Sequence, residues 1–247
     1  MTDDPLPKPA TPDGRRVLIV HAHPEPRSFT AAMRDVAVET LRARGDAVVI
    51  SDLYADGFDA VVKAADFPER RDPDYLTVAL EQRHADESGT LPPDIRRELD
   101  RLLWADLVIF SFPLFWFSVP AILKGWIDRV LVSGRCYGGR RFYDRGGLRG
   151  KTGLLALTMG GRAHMVASGG VHGPLEDMLR PLLQGTLGYV GMRVLPPFVA
   201  HHVPYISDEA RRAILADYRA FLETLDALEP LPMPALDAFD DQMRPLG

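Results

Sequence analysis

Apolar runs that alternate with helix patterns constrain this chain more than any other feature. In "RRVLIVHAH" the apolar, β-branched stretch 17–22 is bounded by polar residues, the pattern of a strand buried on both faces. "PEPRSFTAAMRDVAVETLRARGD" follows: Ser28 suits an N-cap, Met33, Val36, Val38 and Leu41 can share a helix, and Gly45 supplies a C-terminal stop. "AVVISDLY" (47–54) reads as a second strand, "PPDIRRELDRLLWAD" as a helix and "LVIFSF" (107–112) as a third strand. Ile122, Leu123, Trp126, Ile127, Val130 and Leu131 then recur at helical spacing behind Pro120, with Lys124, Asp128 and Arg129 on the other face. "GLLALTMGG" carries a fourth strand over 153–158, and "PLEDMLRPLLQGTLGYVG" reads as a long helix. "MRVLPPFVAHH" gives a short fifth strand made irregular by Pro196 and Pro197, and "SDEARRAILADYRAFLETLDALE" a last helix capped by Ser207. Strands alternating with helices imply a parallel sheet joined by right-handed crossovers. Five such strands predict an α/β fold: a flavodoxin-like three-layer sandwich with helices on both faces of a five-stranded parallel sheet.

Residues 16–229 are expected to form this domain, with 1–15 a disordered arm, 57–92 an inserted surface excursion and 230–247 a proline-rich tail that straps or frays. No internal repeat is present. Net charge is -5, from 34 acidic and 29 basic residues in no long block, which argues against nucleic acid as a partner. The single cysteine, Cys136, excludes an intrachain disulfide framework. No apolar run reaches the ~18 residues that span a bilayer, so no stable membrane insertion is expected. The N-terminus "MTDDPLPKPATPDG" is acidic and proline-rich where a signal peptide is basic and then apolar, so a cytoplasmic location is expected.

Ligands bind open α/β sheets at the carboxyl ends of the strands. The connection "PLFWFS" lies at such an end, and its aromatics would face water unless a flat apolar ligand or a second subunit covers them. The loop of His23, Ser28, Phe29 and Thr30 opens a helix, whose free N–H groups favour phosphate. On the residues alone, Ser28 is better explained as a cap and His23 as a polar loop residue. No GxGxxG is present, which disfavours a dinucleotide-binding fold of that type.

The segments "HAHPEPRSFTAAM", "ADLVIFSFPLFWFSVPAILKGWIDRV", "FYDRGGLRGKTGLLALTMGG" and "GGVHGPLEDMLRPLLQGTLGYVGMRVLPP" together resemble the NAD(P)H:quinone reductases of the DT-diaphorase type. The resemblance runs from about residue 16 to about residue 229. It implies a homodimer with flavin sites at the interface, NAD(P)H as co-substrate, and ping-pong, two-electron hydride transfer to quinone-like acceptors. It places the flavin phosphates and ribityl chain at His23, Ser28, Phe29 and Thr30. The flavin ring falls at Pro113, Leu114, Phe115, Trp116 and Phe117, and at Thr158, Met159, Gly160 and Gly161. Arg211 matches the arginine that reaches the adenosine part of FAD, which favours FAD over FMN. Trp116, Phe117, Tyr137, Met165 and His172 would bind substrate, with His172 catalytic.

Several positions depart from the family pattern. Phe115 replaces a glutamine, Val166 the tyrosine that pairs with the catalytic histidine, and Gly139 one tyrosine of the cap to which Tyr137 belongs. His164 lies near enough in sequence to compensate. Two other readings exist: an ancillary flavoprotein that regulates a membrane transporter such as a potassium efflux system, and a one-electron carrier, which "GRCYGGRRFYD" fits poorly.

Overall fold

The computed structural model describes residues 5–246. Six parallel strands form one sheet: β1 (Arg16–His21), β2 (Ala47–Asp52), β3 (Leu107–Pro113), β4 (Thr152–Thr158), β5 (Arg193–Val194) and β6 (Phe198–Ala200). The order is β2-β1-β3-β4-β5, with β6 also on β4. This is the expected flavodoxin-like order, and its switch point lies between β1 and β3.

Both faces of the sheet are covered, and the period-2 geometry of strands decides which residue serves which face. Val17, Ile19, Leu107 and Ile109 face α1 (Phe29–Ala43) and α6 (Asp208–Glu223), where Met33, Leu41, Tyr218 and Leu222 complete one core. Leu18, Val20, Val108, Phe110 and Phe112 face the other core with α3 (Pro93–Trp104) and α4 (Ala121–Val130). Strands sandwiched in this way must be apolar at successive positions.

The fifth strand position is occupied by two short pieces. Residues with neither a free amide nor ladder geometry interrupt it at Pro196 and Pro197, so β5 pairs with the start of β4 and β6 with its end. The long helix expected over 174–191 is also divided. Pro181 lies inside α5 (Leu175–Leu182), and the chain continues as a π-helical stretch, Leu183–Gly188, in which Thr186 Oγ1 donates to the Pro181 carbonyl at 3.0 Å.

The segment 57–92 is more than a surface excursion. It contains α2 (Val78–Ser88) and sends Phe58, Phe67 and Leu91 into the core beneath α3 and α4. The same segment explains why Arg129 is buried and not on a solvated helix face. Its guanidinium reaches Asp66 through Nε (3.2 Å) and Nη2 (3.0 Å), and Asp94 and the Asp59 carbonyl through Nη1 (2.9 and 2.6 Å). It also lies over the Phe58 ring, 5.5 Å from the centroid.

The expected N-terminal arm is anchored where it is described: Ala10 N–H donates to the Gly45 carbonyl at 2.8 Å, and residues 1–4 lie outside the described residues. The C-terminal segment runs as a strap. Leu231 N–H donates to the Val194 carbonyl (2.8 Å), Leu236 N–H to Asp144 Oδ1 (3.1 Å), and the Leu236 side chain is buried.

Candidate active site

The site is assembled at the carboxyl ends of β1, β3 and β4. Ser28, in extended conformation, accepts from Ala31 N–H at 3.0 Å and starts α1. The N–H groups of Phe29 and Thr30, in the first helical turn, have no intrahelical acceptor and point with the positive end of the helix dipole. His23 Nδ1 accepts from Glu25 N–H at 3.0 Å, and burial pushes its pKa below the ordinary histidine value. A neutral His23 therefore shapes the loop that precedes the helix. Thr30 is buried, and its hydroxyl lies 2.9 Å from that of Thr158, linking this helix start to the end of β4.

One residue that sequence reasoning missed lies directly beneath. His21, the last residue of β1, is buried with Nδ1 3.0 Å from Ser111 Oγ on β3. Burial, reinforced by the nearby Arg34 cation, pushes its pKa down to about 4, so the ring is neutral at ordinary pH. A polar residue closing an otherwise apolar strand was the available signal.

The β3–α4 connection is a tight two-residue hairpin. Phe115 and Ser118 exchange backbone hydrogen bonds of 3.0 and 2.9 Å, while Trp116 (φ 50°) and Phe117 (φ 58°) both lie in the left-handed region. Positive φ at both central residues defines a primed turn, a place usually taken by Asn-Gly. Each bulky residue there costs about 1–2 kcal/mol. The turn is held by its surroundings, because Leu114 N–H donates to the Thr158 carbonyl at 2.8 Å and Pro113 pairs with Thr158 in the sheet. The result is an indole 96% exposed at the sheet's carboxyl edge. Strain of this kind collects where a side chain is presented to a ligand.

Phe117 meets His172 edge to face, with ring centroids 5.2 Å apart, and His172 N–H donates to the Met165 carbonyl at 2.9 Å. Phe117, Met165 and His172 are therefore brought together. Val166 is buried and offers no hydroxyl to this group. After β4, Met159 N–H donates to the Ala200 carbonyl (2.9 Å), and the carbonyls of Gly160 and Gly161 both turn toward His202, another residue the sequence did not single out. A Cβ on Gly160 would find its nearest neighbour, Tyr205, 4.0 Å away, so the backbone there is open to a flat ligand.

Arg211 sits in the first turn of α6, where it bonds Asp208 (2.9 Å) and the Val203 carbonyl (3.3 Å). Val203 N–H in turn donates to the Met159 carbonyl at 3.2 Å, which ties Arg211 to the β4 loop. Tyr137 belongs to a different group within the chain. It packs on Tyr189 (5.9 Å between centroids) and, with Ile127, Asp128, Leu131 and Thr186, lines a cavity of about 320 Å³.

The residues fit a flavin. Free helix-start amides suit its phosphate, the open backbone at Gly160 permits close approach of the ring, and Trp116 offers an aromatic face.

Known proteins agree with this geometry. A family model described as "Flavodoxin-like fold" matches residues 15–222. The ribosyldihydronicotinamide dehydrogenase [quinone] of Homo sapiens is 41% identical over 223 residues, covering 90% of this chain and 96% of that protein. The NAD(P)H dehydrogenase [quinone] 1 of Rattus norvegicus is 41% identical over 227 residues, covering 92% and 83%. The crystal structure of a candidate quinone reductase from Klebsiella pneumoniae superposes with a TM-score of 0.90 at 36% identity, over 94% of each chain. None of these relatives supports the transporter-regulator reading. With its sheet order, its strained aromatic turn and these relatives, the chain belongs to the flavodoxin-like family that includes the quinone-reducing nicotinamide dehydrogenases.

Proposed function

We propose that the protein is a flavin-dependent NAD(P)H:acceptor oxidoreductase that passes two electrons from NAD(P)H to quinone-like acceptors. The observation that carries this reading is the primed turn that holds Trp116 exposed at the same carboxyl edge of the sheet as the start of α1 and the open backbone at Gly160. The chemistry that a bound flavin supplies is hydride transfer from a reduced nicotinamide to an acceptor. The protein's part is to bind, orient and balance charge.

Phe29 and Thr30 N–H groups would hold the flavin phosphate, and the Thr30–Thr158 bond ties the start of α1 to the end of β4. Trp116 and Phe117 supply aromatic faces that align flat partners face to face, a geometry that removes much of the entropic barrier to transfer. His172, held against Phe117 by its backbone bond to Met165, holds or donates a proton at its ring nitrogen as charge changes beside it.

We further propose FAD over FMN, because Arg211, tied to the β4 loop through Val203, matches the arginine that reaches the adenosine part of FAD in the family resembled. We also propose a homodimer: the exposed aromatics of the turn, which a second copy would cover, and Tyr137, which lines a cavity that Trp116 of its own chain does not line, support it. Among the described residues no helix is long and apolar enough to cross a membrane.

The test is to purify the protein, record its visible spectrum, identify the released flavin by mass and follow NAD(P)H-dependent quinone reduction. A yellow protein that releases FAD and turns over is expected. A colourless protein that cannot be reconstituted with FAD or FMN would overturn the reading.

A further inference from the structure

His202 makes an unusual set of contacts for a loop histidine. Its backbone is left-handed (φ 58°, ψ 23°), a region that costs a non-glycine residue free energy and that persists only when neighbours enforce it. Its N–H donates to the Gly161 carbonyl at 3.0 Å, and its ring Nδ1 lies 3.0 Å from the Gly160 carbonyl oxygen. A carbonyl can only accept, so Nδ1 carries the proton in this contact. Nε2 then has a free lone pair and faces Arg162 Nε at 3.4 Å, a long contact in which the guanidinium N–H is the donor. The ring also packs against Tyr205, 5.0 Å between centroids.

Peptide geometry converts these contacts into a directional statement. No peptide in the described residues is cis, so each C=O is antiparallel to the N–H of the following residue. With the Gly160 and Gly161 carbonyls both drawn to His202, the N–H groups of Gly161 and Arg162 point the opposite way. Neither donates to a backbone carbonyl among the described residues. Two successive backbone donors aimed at one side form a concavity suited to an anionic oxygen.

We propose that His202 is a positioning residue, which holds the Gly160 and Gly161 carbonyls so that the Gly161 and Arg162 N–H groups form a two-donor site for the anionic edge of the reduced flavin. This rests on the flavin reading above and adds to it a residue outside the resemblance. Donors fixed in advance stabilise charge that develops during reaction without reorganising at that moment. His202 thus acts on the reduced state more than on the oxidised one.

The experiment compares wild type with His202→Gly and His202→Asn. Glycine is at ease at positive φ, so the first variant keeps the backbone while deleting the ring donor. Asparagine tolerates the left-handed region and carries an amide N–H able to reach the Gly160 carbonyl. The readouts are flavin affinity by fluorescence titration and the midpoint potential of the bound flavin. In His202→Gly, affinity for the reduced flavin should fall about two- to tenfold more than affinity for the oxidised form, as expected for one net hydrogen bond, and the potential should become more negative. His202→Asn should restore most of it. An unchanged potential in His202→Gly, or a loss that asparagine does not restore, would overturn the proposal. Failure of wild type to bind flavin would instead overturn the reading on which it rests.

Discussion

The hydroxyls of Thr30 and Thr158 lie 2.9 Å apart and form a buried hydrogen bond between the start of α1 and the end of β4, elements 128 residues apart in sequence. Each half of the site is thereby set against the other. A double-mutant cycle with Thr30→Val and Thr158→Val should give a coupling of about 0.5–1.5 kcal/mol in denaturant unfolding. Each single variant leaves its partner unpaired and should be the more harmful step. Additive losses would show that the pair contributes nothing as a pair.

The aromatic turn predicts opposed effects on stability and function. Trp116→Ala should weaken flavin retention by the worth of one stacked contact, about 0.5–1.5 kcal/mol, and slow flavin reduction by NAD(P)H. Replacing Trp116 and Phe117 together by Asn-Gly should relieve the primed turn and raise stability by up to about 2 kcal/mol, while flavin retention is lost. Thermal melting of the protein freed of flavin, beside flavin content of the purified variant, reads both.

For His172, the substitution His172→Gln keeps a donor but cannot gain charge. Stopped-flow reduction of the flavin by NADH should slow about tenfold to a hundredfold, with acceptor binding changed less. Superimposable rates and pH profiles would assign His172 to loop structure alone.

Burial holds the His21 pKa at about 4, below the ordinary value, so the unfolded chain binds a proton that the folded one refuses. The sign follows: the contribution is present in full above pH ~6.5 and is lost as pH falls toward about 4, at most about 3 kcal/mol in all. His21→Leu should flatten the acid limb of the stability curve between those limits, measured by urea unfolding at a series of pH values.

Arg129 neutralises two carboxylates from different elements, Asp66 and Asp94. Arg129→Ala should destabilise by about 3–5 kcal/mol, because it leaves Asp66 buried and unpaired. Adding Asp66→Leu should recover part of the loss.

Much of the sheet was legible because strands covered on both faces must be apolar at successive positions, and 17–20 and 107–110 are. The caps were equally plain: Ser28 and Ser207 both accept from the third helical amide, Ala31 and Ala210. Arg129 was misplaced because helical periodicity sees only its own helix, whereas its partners arrive from elsewhere: Asp66 and the Asp59 carbonyl from the 57–92 segment and Asp94 from α3. The turn at Trp116 escaped for a different reason. Local preference would put Asn-Gly there, and it is tertiary contacts, among them the bond from Leu114 to Thr158 and the pairing of β3 with β4, that hold a conformation Trp and Phe resist. His202 gave no signal, since its role lies in the direction of two carbonyls that no side-chain pattern encodes.

The interruption at Pro196 and Pro197 has a consequence for how this protein survives at high concentration. An outermost strand normally offers a row of unpaired amides that another chain can extend into a shared sheet. Here that row is cut into two- and three-residue lengths, two of the intervening residues have no amide to offer, and Leu231 already occupies the Val194 carbonyl. A newly made neighbour finds no continuous ladder on this side of the molecule to join. Trimming the chain before Leu231 would reopen part of that margin, so the last segment serves as a guard against polymerisation.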